Sequence, residues 1–366
     1  MYTWIINCSA VFLFSAFCAG IVIPQILLIA FRKSLFDEVD ERKIHTSLVP
    51  RLGGIAFKPV IFFSLLLILG LNITFGDKDD MVISIESIRP FLFSFCAIIL
   101  IYLVGIADDL IGVRYRAKFV AQILCAILLI CGGISIDNFH GILGIGEIPV
   151  WVSFLFTILL VVFIMNAINL IDGIDGLASG LSSIACFIYG VIYFHIADYM
   201  YAMLAFATLG VLIQFFYYNV FGNPKKQKKI FMGDTGSLTI GLILAILSIR
   251  MSSYSTSPAL SNINIMVLAL SPLLIPCLDV VRVYLRRVRN GKNPFMPDRS
   301  HIHHKLLAVG LNQRIAMIMI LSSSLFLVLL DILLSTMVNV NLILLIDALL
   351  WIVANIWLSR NASVTE

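Results

Sequence analysis

Residues 150–180 read VWVSFLFTILLVVFIMNAINLIDGIDGLASG, and from Val150 to Ile171 no side chain is charged. A run of that length is what a helix needs to cross a bilayer, about 20 residues. Its closing part is unlike lipid-facing sequence, because Asn166, Asn169, Asp172 and Asp175 follow one another before the chain turns apolar again. Ionisable groups at membrane depth are costly to keep and mark functional sites by default. Asn169, Asp172 and Asp175 recur every three residues, so a helix continuing through them would project all three from nearly one face. Gly173, Gly176 and Gly180 allow tight turns or close helix approach there.

The whole chain shares this character. Of its 366 residues 60% are hydrophobic and 13% charged, against about a quarter charged in soluble domains. Apolar runs near 4–31, 53–73, 90–107, 118–133, 150–169, 177–195, 200–220, 237–251, 263–283, 315–333 and 340–358 predict an all-α, polytopic membrane bundle of about 11 spans in a single domain, residues 1–366. The eighth run is short and holds Gly241, which suits a tilted helix or one buried in the bundle. Cys8, Cys18, Cys96, Cys125, Cys131, Cys186 and Cys277 form no close pair and read as small buried hydrophobes rather than disulfides or zinc ligands. The first run is long and a basic segment follows it, unlike a cleavable signal peptide.

Basic residues of short loops set orientation. Arg32, Lys33, Arg42, Lys43 and Arg51 follow the first span; Arg114, Arg116 and Lys118 the third; Lys225, Lys226, Lys228 and Lys229 the seventh; Arg286, Arg287, Arg289, Lys292, Arg299 and Lys305 the ninth. These loops are expected in the cytoplasm, with the N-terminus outside and the C-terminus inside. For Lys225 to Lys229 the orientation bias alone accounts for the charge.

The polar residues gather at the same ends. Asp108 and Asp109 close the third span in GIADDLIGVRYRAK, Asp234 opens the eighth in FMGDTGSLTIG, and His301, His303 and His304 lie in PDRSHIHHKLL after the ninth. Hard oxygen donors at a wet membrane face suit magnesium, which takes one or two carboxylates and completes its shell with water and phosphates. The histidines lack the further ligands of a zinc site and read as donors to hydroxyl and phosphate oxygens. FMGDTGS puts small residues at a helix start, a phosphate seat, although Asp234 could simply cap its own helix. Asp279 reads as a structural partner of Arg282 and Arg286; Asp331 and Asp347 have no motif.

Asp108-Asp109, NAINLIDGIDG, FMGDTGS and PDRSHIHH resemble, in this order and at comparable separations, the motifs of the polyprenyl-phosphate N-acetylhexosamine-1-phosphate transferases. The likeness runs from about residue 40 to about 312 and includes HTSLVPRLGG at residues 45–54. The histidine loop is nearest to the bacterial enzymes that begin O-antigen, common-antigen or teichoic acid linkage units. It departs from the Pro-Ile-His-His-His of the phospho-MurNAc-pentapeptide translocases, the alternative within the family.

The resemblance implies transfer of HexNAc-1-phosphate, with GlcNAc the default, from a UDP-amino sugar to undecaprenyl phosphate, releasing UMP, at the cytoplasmic face of a bacterial inner membrane. It implies Mg²⁺ or Mn²⁺ held by Asn169 and Asp234. Asp108, Asp109, Asp172, Asp175 and Lys118 are the implied catalytic set, with Asp108 or Asp109 positioning or deprotonating the lipid phosphate and Lys118 at the diphosphate. Asn166, Asn219, Phe231, Arg299, His301, His303 and His304 are the implied substrate-binding residues: Phe231 stacks on uracil, Asp172, Asp175 and Asn219 shape the uridine side, and Arg299 and the histidines contact sugar and diphosphate. Direct attack and a covalent aspartyl-phosphate are both open, and direct attack is favoured because a phosphomonoester is already largely ionised at pH 7. A homodimer is compatible with this reading; a nucleic-acid partner is not expected. An ion-coupled transporter would place its acids near the bilayer midplane, and the D-G-x-x-A-R pattern of the CDP-alcohol phosphotransferases is absent.

Overall fold

A computed structural model describes residues 2–35, 49–75, 85–254, 263–291, 293 and 301–362, apart from the side chains at 85–87 and 362. Arg299 and the HTSL part of HTSLVPRLGG lie outside the described residues. The described chain is helical; its β pairing is the isolated bridge Asn138–Glu147. Helix α1 spans Tyr2–Arg32, and a 3-10 turn, Gly53–Ala56, leads into α2, Phe57–Phe75. Then come α3 (Ile85–Ile111), α4 (Tyr115–Cys131), α5 (Val150–Ile171), α6 (Leu177–His195) and α7 (Tyr199–Phe216), which ends in a π turn. Helix α8 (Gly233–Met251) precedes α9 (Ile265–Leu270) and α10 (Leu274–Arg289), which form one span broken at Pro272. The short α11 (Ile302–Ala308) carries the histidines, and α12 (Gln313–Ser335) and α13 (Val340–Ala362) complete the bundle.

Ten of the described segments are long and apolar enough to cross a membrane. The eleventh expected span is α4, whose 17 residues reach about 26 Å at 1.5 Å per residue, a little short of a ~30 Å hydrocarbon core.

Helix α8 is the axis of the bundle: 94% of its span is buried, against 22% of α1. A helix surrounded by protein needs no polar face, and small residues let its neighbours come close. A Cβ on Gly241 would lie 2.8 Å from Met165 Cα, so α5 and α8 nearly touch backbones. The short eighth run is therefore the buried helix that its glycine suggested. All seven cysteines are free, but Cys96 and Cys131 are exposed rather than buried, as an apolar side chain can be where the solvent is lipid.

Polar contacts pin the remaining helices. At the opposite end of the bundle from Asp234, Tyr254 donates to Asp198 and Arg250 lies over the rings of Tyr201 and Tyr254. Burial pushes the Asp198 carboxyl up, while the Tyr254 hydroxyl and Arg250 oppose it. Asp331 accepts from Ser271 at 2.6 Å, tying α12 to the break in the ninth span.

The segment Pro50–Gly54 runs beside Phe231–Met232. Phe231 N donates to Pro50 O, Gly53 N to Phe231 O and Gly54 N to Met232 O, each at 2.9 Å. A Cβ on Gly54 would sit 2.0 Å from Gly236 N, whereas one on Gly70 would meet nothing within 4 Å. Overpacking typically costs about 1–3 kcal/mol. Gly54→Ala is therefore expected to lower the unfolding temperature of the detergent-purified protein, and Gly70→Ala to leave it unchanged. Equal melting of the two variants would contradict this packing.

Candidate active site

The first N–H groups of a helix have no partner within it, and at α8 they face the interior. Asp109, at the end of α3, supplies the acceptor: its carboxylate takes Asp234 N at 2.8 Å, Thr235 N at 2.9 Å and Thr235 Oγ1 at 2.5 Å. The α8 cap thus comes from another helix, and the Asp234 side chain is left free for other contacts. Between the two adjacent aspartates this separates the geometry. Asp109 holds α8 in place, and Asp108 faces the cleft.

Lys118, from the first turn of α4, joins the two clusters. Its ammonium donates to Asp108 Oδ2 at 2.9 Å and to Asp234 Oδ2 at 2.7 Å, while Val113 N donates to Asp108 Oδ1 at 2.7 Å. Asn169 Nδ2 donates to Asp234 Oδ1 at 3.2 Å and to Ser237 Oγ at 2.8 Å. One turn earlier, Asn166 Nδ2 donates to Gln122 Oε1 and to Val162 O, both at 2.7 Å. Four separate stretches of chain, α3, α4, α5 and α8, therefore meet around Asp234.

The three-residue recurrence in the fifth span does not give one continuous helical face. Helix α5 ends at Ile171, and Asp172 is its C-cap with ψ of 50°. Gly176 then takes φ +78°, a left-handed conformation suited to glycine, and its N–H donates to Asn219 Oδ1 at 2.6 Å. Asn219 Nδ2 donates to Ile230 O at 2.9 Å, so this buried amide braces two loops from both of its ends. Asp175 turns away to Lys229, whose ammonium is 2.5 Å from Asp175 Oδ2 and 5.7 Å from the centre of the Phe231 ring. Lys225, Lys226 and Lys228 are exposed as orientation signals should be. Lys229 is not, because it pairs with a carboxylate on the site.

Asp172 is exposed on one side of the turn, while protein atoms crowd its carboxyl on the other. That withdrawal from bulk water, and then the Asp234 and Asp175 carboxylates, push its carboxyl up to about 7, with Arg51 pulling the other way.

The histidine loop closes over this turn. A Cβ on Gly173 would fall 2.1 Å from His303 Nε2, so only glycine lets the ring lie there. His303 is 1% exposed, and neither of its ring nitrogens has a hydrogen-bond partner among the described residues. Burial, then His304 and His301, hold it neutral with a pKa of about 3. A buried ring with two unmet nitrogens is unusual, because buried polar atoms are generally hydrogen-bonded. His301 and His303 stack with their rings 5.8 Å apart, and His304 is 4.2 Å from His303. Arg299, just before them, lies outside the described residues.

Among the described residues no three His, Cys, Asp or Glu side chains form a ready-made metal cage. The donor set still suits a hard divalent cation. It consists of carboxylate and amide oxygens, and after burial the Asp234 and Asp175 carboxylates add to the upward push on Asp172. Magnesium needs few protein ligands when substrate phosphates supply the rest. Asn169 turns its nitrogen toward Asp234, so serving as a ligand requires its amide to flip.

Several residues of the site escaped sequence reading. Thr235 and Ser237 were visible in FMGDTGS but carried no charge to signal them. Arg51 was read as an orientation signal, yet it bears on Asp172. Gln122 lies one helical turn beyond Lys118, which is the signal that could have found it.

The sequence model of Glycosyl transferase family 4 matches residues 91–252. The chain is 31% identical over 310 residues to a Bacillus subtilis (strain 168) protein described as a probable undecaprenyl-phosphate N-acetylglucosaminyl 1-phosphate transferase, covering 84% of this chain and 80% of that one. It is 31% identical over 302 residues to the decaprenyl-phosphate N-acetylglucosaminephosphotransferase of Mycolicibacterium smegmatis, covering 76% and 70%. It is 30% identical over 295 residues to the undecaprenyl-phosphate alpha-N-acetylglucosaminyl 1-phosphate transferase of Escherichia coli (strain K12), covering 80% and 74%.

Burial and then the Asp234 and Asp175 carboxylates push the Asp172 carboxyl up to about 7, so it takes up a proton more readily than an ordinary carboxyl as pH falls. A cation bound near it must displace that proton, so binding should strengthen as pH rises through this range. Mg²⁺ is expected to raise the unfolding temperature more at pH 8 than at pH 6, and Asp172→Asn to remove the difference. A Mg²⁺ effect independent of pH in the unaltered protein would contradict the role given to Asp172.

Proposed function

The chain belongs to glycosyl transferase family 4, and from that membership we propose that it transfers N-acetylglucosamine-1-phosphate from UDP-N-acetylglucosamine to undecaprenyl phosphate, releasing UMP. The observation that carries this reading is the ammonium of Lys118 set between Asp108 and Asp234, 2.9 and 2.7 Å away, at the mouth of a membrane-embedded bundle. Transfer between two phosphorylated substrates needs cationic donors close to carboxylates that can hold a metal. An acceptor whose tail stays in lipid needs that chemistry at the end of the spans.

Asp234, with Asn169 once its amide turns, would hold Mg²⁺ or Mn²⁺. The ion, when bound, neutralises the crowded phosphate oxygens. Lys118 can leave one carboxylate and donate to a phosphate oxygen as charge moves to the departing UMP. Asp108 fixes Lys118 and, through Val113 N, the short loop between α3 and α4. An oxygen of the lipid phosphate attacks the phosphorus attached to the sugar, and the bond to the UMP oxygen breaks. The attacking phosphate is largely ionised at pH 7, so no strong base is needed and direct attack requires no aspartyl intermediate. His303, with both ring nitrogens unpartnered, faces hydroxyl or amide groups of the sugar beside Gly173. Phe231 offers a ring to the uracil. The positive-inside bias of the basic loops supports a cytoplasmic position for this end of the bundle, with the N-terminus outside.

The test uses purified protein, undecaprenyl phosphate, Mg²⁺ and a panel of UDP-sugars, with UMP release as the readout. UDP-GlcNAc is expected to be used best, EDTA to stop the reaction and Mg²⁺ or Mn²⁺ to restore it. Asp234→Asn and Asp108→Asn should each lower turnover by about a hundredfold or more, the scale of losing one electrostatic element of catalysis. UMP release that persists in EDTA after exhaustive metal removal would overturn the metal assignment.

A further inference from the structure

The ninth span carries a carboxylate that the proposed chemistry does not use. Asp279 lies in α10 with its side chain wholly buried, and four donors converge on its two oxygens. Arg282 reaches Oδ1 through Nη2 at 2.7 Å and Nε at 3.2 Å, and Ile302 N donates to the same oxygen at 3.0 Å. His301 Nδ1 lies 2.8 Å from Oδ2. Pairing with Arg282, one turn along its own helix, was legible in the sequence. The other two contacts cross to the histidine loop, 22 and 23 residues further along the chain.

The arrangement has a chemical consequence. A carboxylate surrounded by donors offers only lone pairs, so His301 must bring a hydrogen on Nδ1 to make its bond. That fixes which ring nitrogen carries the hydrogen, and the remaining nitrogen, Nε2, takes its direction from the same bond. The bond to Ile302 N fixes the backbone beside it, at the start of α11. His301 in turn stacks against His303, ring planes within 5° of parallel, and His303 rests on Gly173 of the aspartate turn. An unbroken chain of contacts therefore links a buried charge in the ninth span to the ring packed against the aspartate turn.

We propose that Asp279 is a positioning residue for the transfer reaction: it sets the tautomer of His301 and seats the histidine loop against the Asp172–Gly176 turn, and so governs use of the sugar donor without touching it. Resting on the transferase reading above, the proposal gives Asp279 more than the structural pairing with Arg282. Asp279→Asn replaces one lone-pair oxygen by an amide donor. Either orientation of that amide then opposes a donor on the loop, so the loop shifts or the His301 tautomer reverses.

Two readouts test this. In the full-length protein in nanodiscs with ¹⁵N-labelled histidine, His301 is identified as the signal lost in His301→Gln. Its Nδ1 is expected to carry hydrogen in the unaltered protein and in Asp279→Glu, and to lose it or shift in Asp279→Asn. A bare Nδ1 in the unaltered protein would overturn the proposal, whether or not any variant folds. In the UMP-release assay, Asp279→Asn should lower kcat/KM for UDP-GlcNAc by roughly ten- to a hundredfold, the scale of a small misplacement. Affinity for UMP should be unchanged. His301→Ala should lose a similar factor, and the double variant no more than either alone. Losses that multiply in the double variant, or that come with an equal loss of UMP affinity, would reduce Asp279 to a purely structural role and contradict the proposal. Failure of the unaltered protein to use any UDP-sugar would count against the transferase reading, and the labelled histidine spectrum would still decide the Asp279–His301 contact.

Discussion

The N-terminus of α8 sits inside a helical bundle, and its leading N–H groups must find acceptors there. A buried donor left unmatched costs about 1–3 kcal/mol, so the carboxylate of Asp109, accepting from Asp234 N and Thr235 N, fixes where α8 begins. Other features depend on that placement. The Pro50–Gly54 segment can run beside Phe231 and Met232 because α8 starts just after them. Asp234, relieved of capping its own helix, can reach Lys118 and Asn169. Two adjacent aspartates at the end of α3 thus do different work, Asp109 on backbone and Asp108 on the Lys118 ammonium.

Charge is the second thread. Asp108 and Asp234 pair with Lys118, and the Asp234 and Asp175 carboxylates add to the upward push that burial gives Asp172. Such a cleft is poorly matched to a diphosphate by itself and well matched to a diphosphate carrying a divalent cation. The histidine loop is different in kind. Its central ring is neutral, buried and unpartnered, which fits reading uncharged hydroxyl and amide groups. The site therefore divides into a charged half built on α3, α4, α5 and α8, and a neutral half delivered by α10 and α11.

Much of this was legible in the sequence. Spans follow from the length of apolar runs, and Asp108, Asp109, Asp234 and the histidines stood out because charge at the end of a span is rare. What could not be read was pairing between distant segments. No local pattern says that Asp109 caps a helix through Asp234 N, 125 residues later, or that Lys229 pairs with Asp175 across 54 residues. The three-residue recurrence through Asp175 gave the wrong geometry because Gly173 and Gly176 end the helix, one to admit His303 and the other to turn the chain. Asp279 looked like half of an ion pair, since Arg282 is one turn away; its bonds to His301 and Ile302 appear only when the loop folds back. Arg51 and Lys229 were hidden in another way. In a membrane protein a basic residue beside a span already has a sufficient explanation.

The central claim is that the cation and diphosphate are seated where α8 begins. Anomalous diffraction from crystals grown with Mn²⁺ and UDP tests it most directly. The account predicts a single manganese peak within ligand distance of Asp234, with the diphosphate between it and Lys118. A peak at His301–His304, or at Asp175 with Asp234 left unliganded, would contradict it.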